Sequence, residues 1–231
     1  MPIYPAILTT DIAILQHQLD LAAKFSDLTA IQIDLIDGEY VDQQTVSLQS
    51  VVEVEKHDLP IDFHLMTNEP MDLVWELIDW KNDLPIRSVV AQIERMSYPD
   101  QFLAEVKNQG WRTGLALDIY TPWEEIDPAW LIDVDVIQLS GNETGRSGQD
   151  LNELIWPKLK AVRATLDQLA ESSAAKAATL AQPVELVVDI GVNLKTAPKL
   201  IAAGVTGLVA ASAIWNDSEP VKAFENLSNL Y

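Results

Sequence analysis

Four polar residues lie at or near the ends of otherwise apolar runs, where their side chains could do chemistry. Gln32 and Asp34 lie in IQIDLIDGEY, His64 lies in IDFHLM, and Asp189 lies in VELVVDIGVN. Aspartate is rarely buried without a partner, so a carboxylate at the end of a buried strand is costly unless it has a function. Because residues i and i+2 of a strand face the same side, we expect Gln32 and Asp34 to point together.

These side chains could hold a divalent cation. One imidazole, two carboxylates and an amide oxygen suit a cation of the zinc, manganese, iron or cobalt group. His17 lies in a helical segment and His57 in a charged loop, so His64 is the histidine that follows a buried strand. The alternative is that the aspartates cap the following helices or turns and that His64 is a core residue with satisfied hydrogen bonds. The convergence of three such residues favours the cation site.

A second candidate is the glycine-rich segment SGNETGRSGQ. It contains Gly141, Gly145 and Gly148 together with Arg146. Glycines let backbone N–H groups approach the oxygens of a phosphate closely. The segment is therefore a candidate anion-binding loop, although this composition alone is a weak signal.

The chain predicts the strands and helices that must position these residues. Apolar runs alternate with amphipathic segments, which is the pattern of a parallel sheet covered by helices. Asp11 is expected to cap a helix over 11–25, Pro70 fits the first turn of another, and 161–181 predicts an extended helix or a helix pair. The eight apolar runs are residues 3–8, 30–35, 60–65, 88–93, 112–117, 134–139, 184–189 and 207–211.

Eight such units could close into a (β/α)8 barrel or lie as an open, doubly wound sheet. No Gly-x-Gly-x-x-Gly follows the first run, so the usual sign of a dinucleotide-binding sheet is missing. Strand number and length favour the barrel. No low-complexity linker divides the chain, so we expect one domain over residues 1–231.

Composition excludes several classes of function. The 231 residues include no cysteine, which excludes thiolate catalysis and thiolate metal sites. The formal net charge of −20 repels nucleic acid phosphates and anionic lipids, so no nucleic acid or membrane partner is expected. The N-terminus lacks the pattern of a signal peptide, and the apolar stretch 200–215 is too short to span a membrane. We therefore expect a cytoplasmic protein.

Several segments, taken in order, resemble the ribulose-phosphate 3-epimerase family. They are PAILTTD, IQIDLIDGEYV, IDFHLMTNEP, TGLALDIYTP, SGNETGRSGQ, VVDIGVNLKTAP and GLVAASAIW, and they span the chain almost from end to end. The most specific are HLM-x-NEP and VD-x-G-x-N-x-x-TAP. The resemblance implies a (β/α)8 TIM barrel of the ribulose-phosphate-binding type. It also implies a metal-assisted epimerisation at C3 of a ketopentose phosphate through a cis-enediolate.

The resemblance implies roles for individual residues. Asp34 and Asp189 match the acid/base pair of aspartates, which also bind the metal, and His64 matches a histidine ligand. Gln32 stands where the family has a second histidine. Its oxygen binds a transition metal more weakly than imidazole does, so metal binding could be weakened or lost. The implied substrate-binding positions are Met66, Gly145, Arg146, Gly148, Gly191, Ala211 and Ser212.

Other positions depart from the family pattern. Ala6 replaces a serine, Ile36 and Leu139 stand where methionines line the enediolate, and Ile190 replaces a glycine of the phosphate cradle. Two further hypotheses stay open: a diverged, non-catalytic barrel that binds a sugar phosphate or a partner, and an epimerase of altered sugar-phosphate specificity. A decarboxylase on the same barrel is disfavoured, because no Asp-x-Lys-x-x-Asp motif appears at the second run. The expected ligand is a small phosphorylated sugar, and a homo-oligomer stays open.

Overall fold

The computed structural model describes residues 1–175 and 183–230 and contains a closed barrel of eight parallel strands. The strands are β1 (Ile3–Ile7), β2 (Ile31–Ile36), β3 (Ile61–Met66), β4 (Ile86–Gln92), β5 (Arg112–Leu117), β6 (Val136–Ser140), β7 (Glu185–Asp189) and β8 (Gly207–Ala210). Each strand pairs with the next one along the chain, and β8 pairs with β1. The barrel is confirmed, and the open sheet is excluded.

Helices follow the strands and cover the outside of the barrel, as predicted. They are α1 (Ile12–Ala22), α2 (Leu48–Glu53), α3 (Met71–Asp79), α4 (Pro99–Asn108), α5 (Ile155–Ala175), α6 (Ala197–Ala202), α7 (Ser212–Trp215) and α8 (Pro220–Ser228). The connection between β5 and β6 contains two short 3-10 turns instead of a longer helix. None of the described helices has the length and apolar character that a membrane crossing requires.

Local sequence signals set several helix ends. The Asp11 carboxylate accepts a hydrogen bond from the N–H of Ala13 at 2.7 Å and caps α1, as expected. This helix ends at Ala22, short of the predicted 11–25, because tight turns at the following residues replace its regular hydrogen bonds. The predicted helical stretch 161–181 overlaps α5, and its residues 176–181 lie outside the described part of the chain.

The strands separate two apolar cores. Side chains such as Ile33 and Phe63 face the helices and belong to the larger core. Alternate residues point into the barrel, where a second cluster is built mostly of small or β-branched side chains. This inner cluster comprises Tyr4, Ala6, Ala30, Val90, Ala116, Val136, Val187 and Val209. The inner core supports the polar residues above it at the carboxyl ends of the strands.

A cluster of charged residues closes the amino-terminal end of the barrel. The Arg87 guanidinium donates two hydrogen bonds to the Asp62 carboxylate and lies 4.8 Å from the centre of the Tyr4 ring. The Tyr4 hydroxyl donates to Glu185 at 2.6 Å, and Arg112 donates to the same carboxylate at 2.8 Å. Each carboxylate therefore has a cationic partner, which buried charges require.

We expect Arg87→Met to destabilise the protein by about 3 kcal/mol, because it leaves the buried Asp62 carboxylate without its partner. Lys107→Met is the control, since it removes an ion pair with Asp133 in which both side chains are more than half exposed. That change should cost at most about 0.5 kcal/mol. Urea unfolding measures both values, and equal losses would contradict the structural role of the Arg87 pair.

Candidate active site

The predicted metal ligands meet at the carboxyl-terminal end of the barrel. Asp34 lies opposite His64 in the register of β2 and β3, and Asp189 is the last residue of β7. Gln32, Asp34, His64 and Asp189 are between 2% and 8% exposed. Burial of such groups requires hydrogen-bond or charge partners, and here the four side chains are partners of one another.

Asp34, His64 and Asp189 form a compact set of atoms that could hold a metal ion. One ligand atom from each residue lies within 4.8 Å of the others. The Nδ1 atom of His64 lies 3.2 Å from Asp34 Oδ1 and 3.7 Å from Asp189 Oδ2. The carboxylates therefore approach the same ring nitrogen from two different strands, and such an arrangement could hold a small cation.

Gln32 joins this set through its side-chain amide. Its Nε2 atom donates to Asp34 Oδ1 at 2.8 Å and to Asp189 Oδ2 at 3.1 Å, and it lies 3.4 Å from His64 Nδ1. The amide thus lies between the two carboxylates. Each of the four residues that the sequence singled out is part of one connected group.

Two more glutamines contact the group, and sequence reasoning missed both. Gln138 on β6 places its Nε2 atom 3.2 Å from Asp189 Oδ2 and 3.2 Å from His64 Nδ1. Gln92, the last residue of β4, places its Nε2 atom 3.1 Å from His64 Nε2. Both are polar residues inside apolar strands, in VVAQIE and DVIQLS, so the signal that identified Gln32 was present there too.

The partners of His64 depend on the position of its ring proton. Gln92 Oε1 is buried and has no hydrogen-bond partner among the described residues. Turning the Gln92 amide by half a rotation would bring that oxygen to the Nε2 atom of the ring. The ring would then carry its proton on Nε2 and leave the Nδ1 lone pair free for a cation.

Burial and like charge raise the pKa of Asp189. Loss of solvent is the largest cause and the nearby Asp34 carboxylate is the second, and together they raise the pKa to about 6 against the opposing effects of His64, Gln32 and the Ile190 N–H. Burial lowers the pKa of His64, but the hydrogen bond and charge of Asp34, with the charges of Asp189 and Glu94, leave it raised. The protonation states of Asp189 and His64 therefore influence each other.

The residues predicted to bind substrate line the same cavity as the metal-binding group. Asp34, His64 and Asp189 form part of its lining, and loops after β6, β7 and β8 form most of the rest. The predicted positions found there are Met66, Gly145, Arg146, Gly148, Gly191, Ala211 and Ser212. The glycine-rich segment and the candidate metal ligands thus line the same cavity at the mouth of the barrel.

Two glycines allow loops to approach closely there. Gly191 has φ +77°, and a Cβ atom on it would lie 2.7 Å from the backbone nitrogen of Leu151. Gly145 has φ +92°, and a Cβ atom would lie 2.8 Å from the side chain of Val41. Ile190 has φ +68° and lines the cavity, which is a rare conformation for a β-branched residue and costs about 1–3 kcal/mol.

The other departures lie away from this cavity. Leu139 packs in the core between strands and helices, and Gln138 takes the inward position next to it on β6. Ala6 belongs to the inner core below the site. Ile36 borders a separate groove between the loops after β2 and β3. Ile36 and Leu139 were expected at the positions of methionines that line the enediolate. Neither side chain lines this cavity.

Comparison with known proteins gives consistent relatives. The model of the "Ribulose-phosphate 3 epimerase family" matches residues 2–215. The ribulose-phosphate 3-epimerase of Bacillus subtilis (strain 168) is 31% identical over 224 residues, which cover 96% of this chain and 96% of that protein. The ribulose-phosphate 3-epimerase of Methanocaldococcus jannaschii is 26% identical, covering 96% of this chain and 87% of that protein.

Solved structures share the fold at lower identity. A 3-hexulose-6-phosphate synthase has a TM-score of 0.62 and 17% identity, with 98% of each chain covered. The tryptophan synthase α-subunit of Pyrococcus furiosus has a TM-score of 0.67 and 14% identity, covering 100% of this chain and 98% of that chain. At these identities the likeness concerns the fold alone.

We expect the metal-free protein to lose stability as the pH rises from about 4 to 8. The pKa of Asp189 is higher in the folded state, at about 6, so its stabilising contribution is complete below about pH 4 and is lost as the pH rises through 6. The raised pKa of His64 acts in the same direction above about pH 6.5.

Urea unfolding in the presence of a chelator, at pH 5 and pH 7.5, tests this dependence. Asp189→Asn should be less sensitive to pH than the wild type, because the amide has no proton to gain. Asp133→Asn, at an exposed aspartate, is the matched control and should keep the wild-type dependence. Equal pH dependence in all three proteins would contradict the raised pKa of Asp189.

Proposed function

The chain belongs to the ribulose-phosphate 3-epimerase family, and from that premise we propose that it inverts the configuration at C3 of a ketopentose phosphate. The observation that carries the proposal is the convergence of two buried carboxylates, Asp34 and Asp189, on one cavity from different sides of the barrel. An epimerase needs one group to remove a proton and a second group to return it on the opposite face.

The two aspartates supply this pair of acid/base groups. One carboxylate removes the C3 proton, which gives a cis-enediolate, and the other carboxyl group protonates C3 from the opposite side. The pKa of about 6 for Asp189 lets that group hold or release a proton close to neutral pH. Because the reverse reaction exchanges the two roles, both residues must be able to exist in either protonation state.

The residues around the aspartates fit a divalent cation. Asp34, His64 and Asp189 bring three ligand atoms within 4.8 Å of one another, and the amide of Gln32 lies between them. Gln32 would present Oε1 to the cation after a half-turn of its amide, which needs no movement of the strand. A divalent cation of the zinc, iron, manganese or cobalt group would supply positive charge that stabilises the oxygens of the enediolate.

The loops after β6, β7 and β8 are proposed to bind the substrate phosphate. Gly145, Gly148 and Gly191 bring backbone close to the cavity, and Ser212 adds a hydroxyl group. Arg146 lines the cavity and makes no ion pair with any described residue. In a chain of net charge −20, such a cation is suited to recognise a dianionic phosphate.

We expect the wild type to exchange the C3 hydrogen of D-ribulose 5-phosphate for deuterium in heavy water. Asp189→Asn should abolish the exchange, because the amide can neither remove nor return the proton. Asp133→Asn, on the protein surface, should leave it unchanged. NMR of the substrate follows the exchange. No exchange across a panel of ketose phosphates, with zinc, manganese, iron and cobalt supplied, would favour a barrel that binds a sugar phosphate without epimerising it.

Arg146→Met should raise the KM for the phosphorylated ketose roughly tenfold and leave kcat almost unchanged, since it removes a contact that ground state and transition state share. Arg95→Met is the matched control, because Arg95 lines a neighbouring cavity and not the mouth. Steady-state kinetics measures KM and kcat, and inhibition by inorganic phosphate measures phosphate binding. An unchanged KM in Arg146→Met would remove this residue from the proposed phosphate site.

A further inference from the structure

Two amide groups, from Gln32 on β2 and Gln138 on β6, approach two of the same side chains, His64 and Asp189. Both Nε2 atoms donate to Asp189 Oδ2, at 3.1 Å and 3.2 Å. Both also lie near His64 Nδ1, at 3.4 Å and 3.2 Å. Gln138 thus contacts His64 and Asp189 at distances similar to those of Gln32, although its strand is adjacent to β7 and not to β2.

In this arrangement the amides stabilise the buried negative charge of the carboxylates by donating hydrogen bonds. A cation would satisfy the same carboxylate oxygens, and the N–H groups would then lose their acceptors. A glutamine carries an oxygen and a nitrogen at nearly equivalent positions, so a half-turn of the amide presents the oxygen where the nitrogen lay. Gln32 and Gln138 can therefore change from hydrogen-bond donors to metal ligands without any change in the barrel.

The spacing of these atoms fits a shell of six ligands. The separations that involve the two amide nitrogens, His64 Nδ1, Asp34 Oδ1 and Asp189 Oδ2 include values from 2.8 to 3.4 Å. Neighbouring ligands in an octahedral shell with bonds of about 2.1 Å lie about 3.0 Å apart. His64 Nδ1 and Asp189 Oδ2 are 3.7 Å apart, between the separations of neighbouring and of opposite ligands in such a shell. Six of the seven contacts within this set thus have the spacing of neighbouring ligands around one cation.

We propose that Gln138 is a fifth protein ligand and that the site is built for Mn²⁺ more than for Zn²⁺. This inference rests on the metal site of the proposed function. The ligand set would be four oxygens, from Gln32, Asp34, Gln138 and Asp189, with a single imidazole nitrogen from His64. Carboxylate and carbonyl oxygens in an octahedral shell suit manganese, whereas zinc prefers four ligands and more nitrogen or sulfur.

Direct metal binding to the purified, chelator-treated protein tests the assignment without substrate. The bound fraction of Mn²⁺ is read from the electron paramagnetic resonance signal of the free ion, and Zn²⁺ is measured by competition with a chelating dye. Gln138→Met keeps the side-chain size and removes the oxygen, so it should weaken Mn²⁺ binding roughly tenfold or more and Zn²⁺ binding less. Gln32→His should shift the preference towards Zn²⁺ by a similar factor.

Two further variants keep the test decisive. Gln138→Glu places a charged oxygen at the same position, so it should strengthen Mn²⁺ binding and make the thermal midpoint more dependent on Mn²⁺, even if Gln138→Met folds poorly. Gln92→Met is the matched control, because Gln92 contacts the other nitrogen of His64 and should change both affinities alike.

The inference is overturned if the wild type binds no Mn²⁺ at millimolar concentration, or if Gln138→Met and Gln138→Glu both bind Mn²⁺ as the wild type does. It is also overturned if both variants change Mn²⁺ and Zn²⁺ binding by the same factor. A protein that binds Mn²⁺ through Gln138 but exchanges no C3 hydrogen would contradict the proposed reaction and leave the ligand assignment standing. The two proposals can thus fail separately.

Discussion

Two carboxylates in one buried space repel each other, and Asp34 and Asp189 are held in such a space by strands that cannot move apart without opening the barrel. In a medium of low effective dielectric constant this repulsion is much stronger than in water. Three features reduce it: the raised pKa of Asp189, the raised pKa of His64, and the N–H groups of Gln32 and Gln138. Each feature is also one that acid/base chemistry or cation binding can use.

The barrel separates this reactive end from a structural one. At the amino-terminal end, Arg87 and Arg112 pair permanently with Asp62 and Glu185, so the charges there are satisfied within the protein. At the carboxyl-terminal end, the polar side chains are hydrogen-bonded to one another, and their charges change with protonation. The inner layer of small and β-branched side chains lies between the two ends. Stability and chemistry are therefore assigned to opposite ends of the same strands, as in other barrels of this type.

Much of the fold and part of the site could be predicted from the sequence. The apolar runs predicted the number and order of the strands, and they predicted the strand bounds to within a few residues. Polar residues at the ends of these runs identified Asp34, His64 and Asp189. Gln92 and Gln138 are also polar residues in apolar runs, but neither lies two residues before an aspartate as Gln32 does. Their importance depends on which strands lie opposite each other across the barrel, which is a long-range property.

The remaining differences also have physical causes. Leu139 was placed in the site by resemblance, but neighbouring strand residues face opposite sides, so a difference of one position puts Gln138 inside and Leu139 outside. The left-handed backbone of Ile190 could not be predicted, since β-branched residues rarely adopt it. It follows directly after Asp189, and its N–H donates to that carboxylate at 2.7 Å. Local strain at this turn is thus linked to the position of a central side chain.

The pair of glutamine amides has a consequence for how the protein matures. Many metal-binding folds depend on their ion to balance the charges of the ligands, so they assemble only when the ion is present. Here the amide N–H groups of Gln32 and Gln138 already donate to the carboxylate oxygens, so these oxygens have partners before any cation binds. We therefore expect folding and the proposed cation binding to be separate steps, with the ion able to enter and leave the folded barrel.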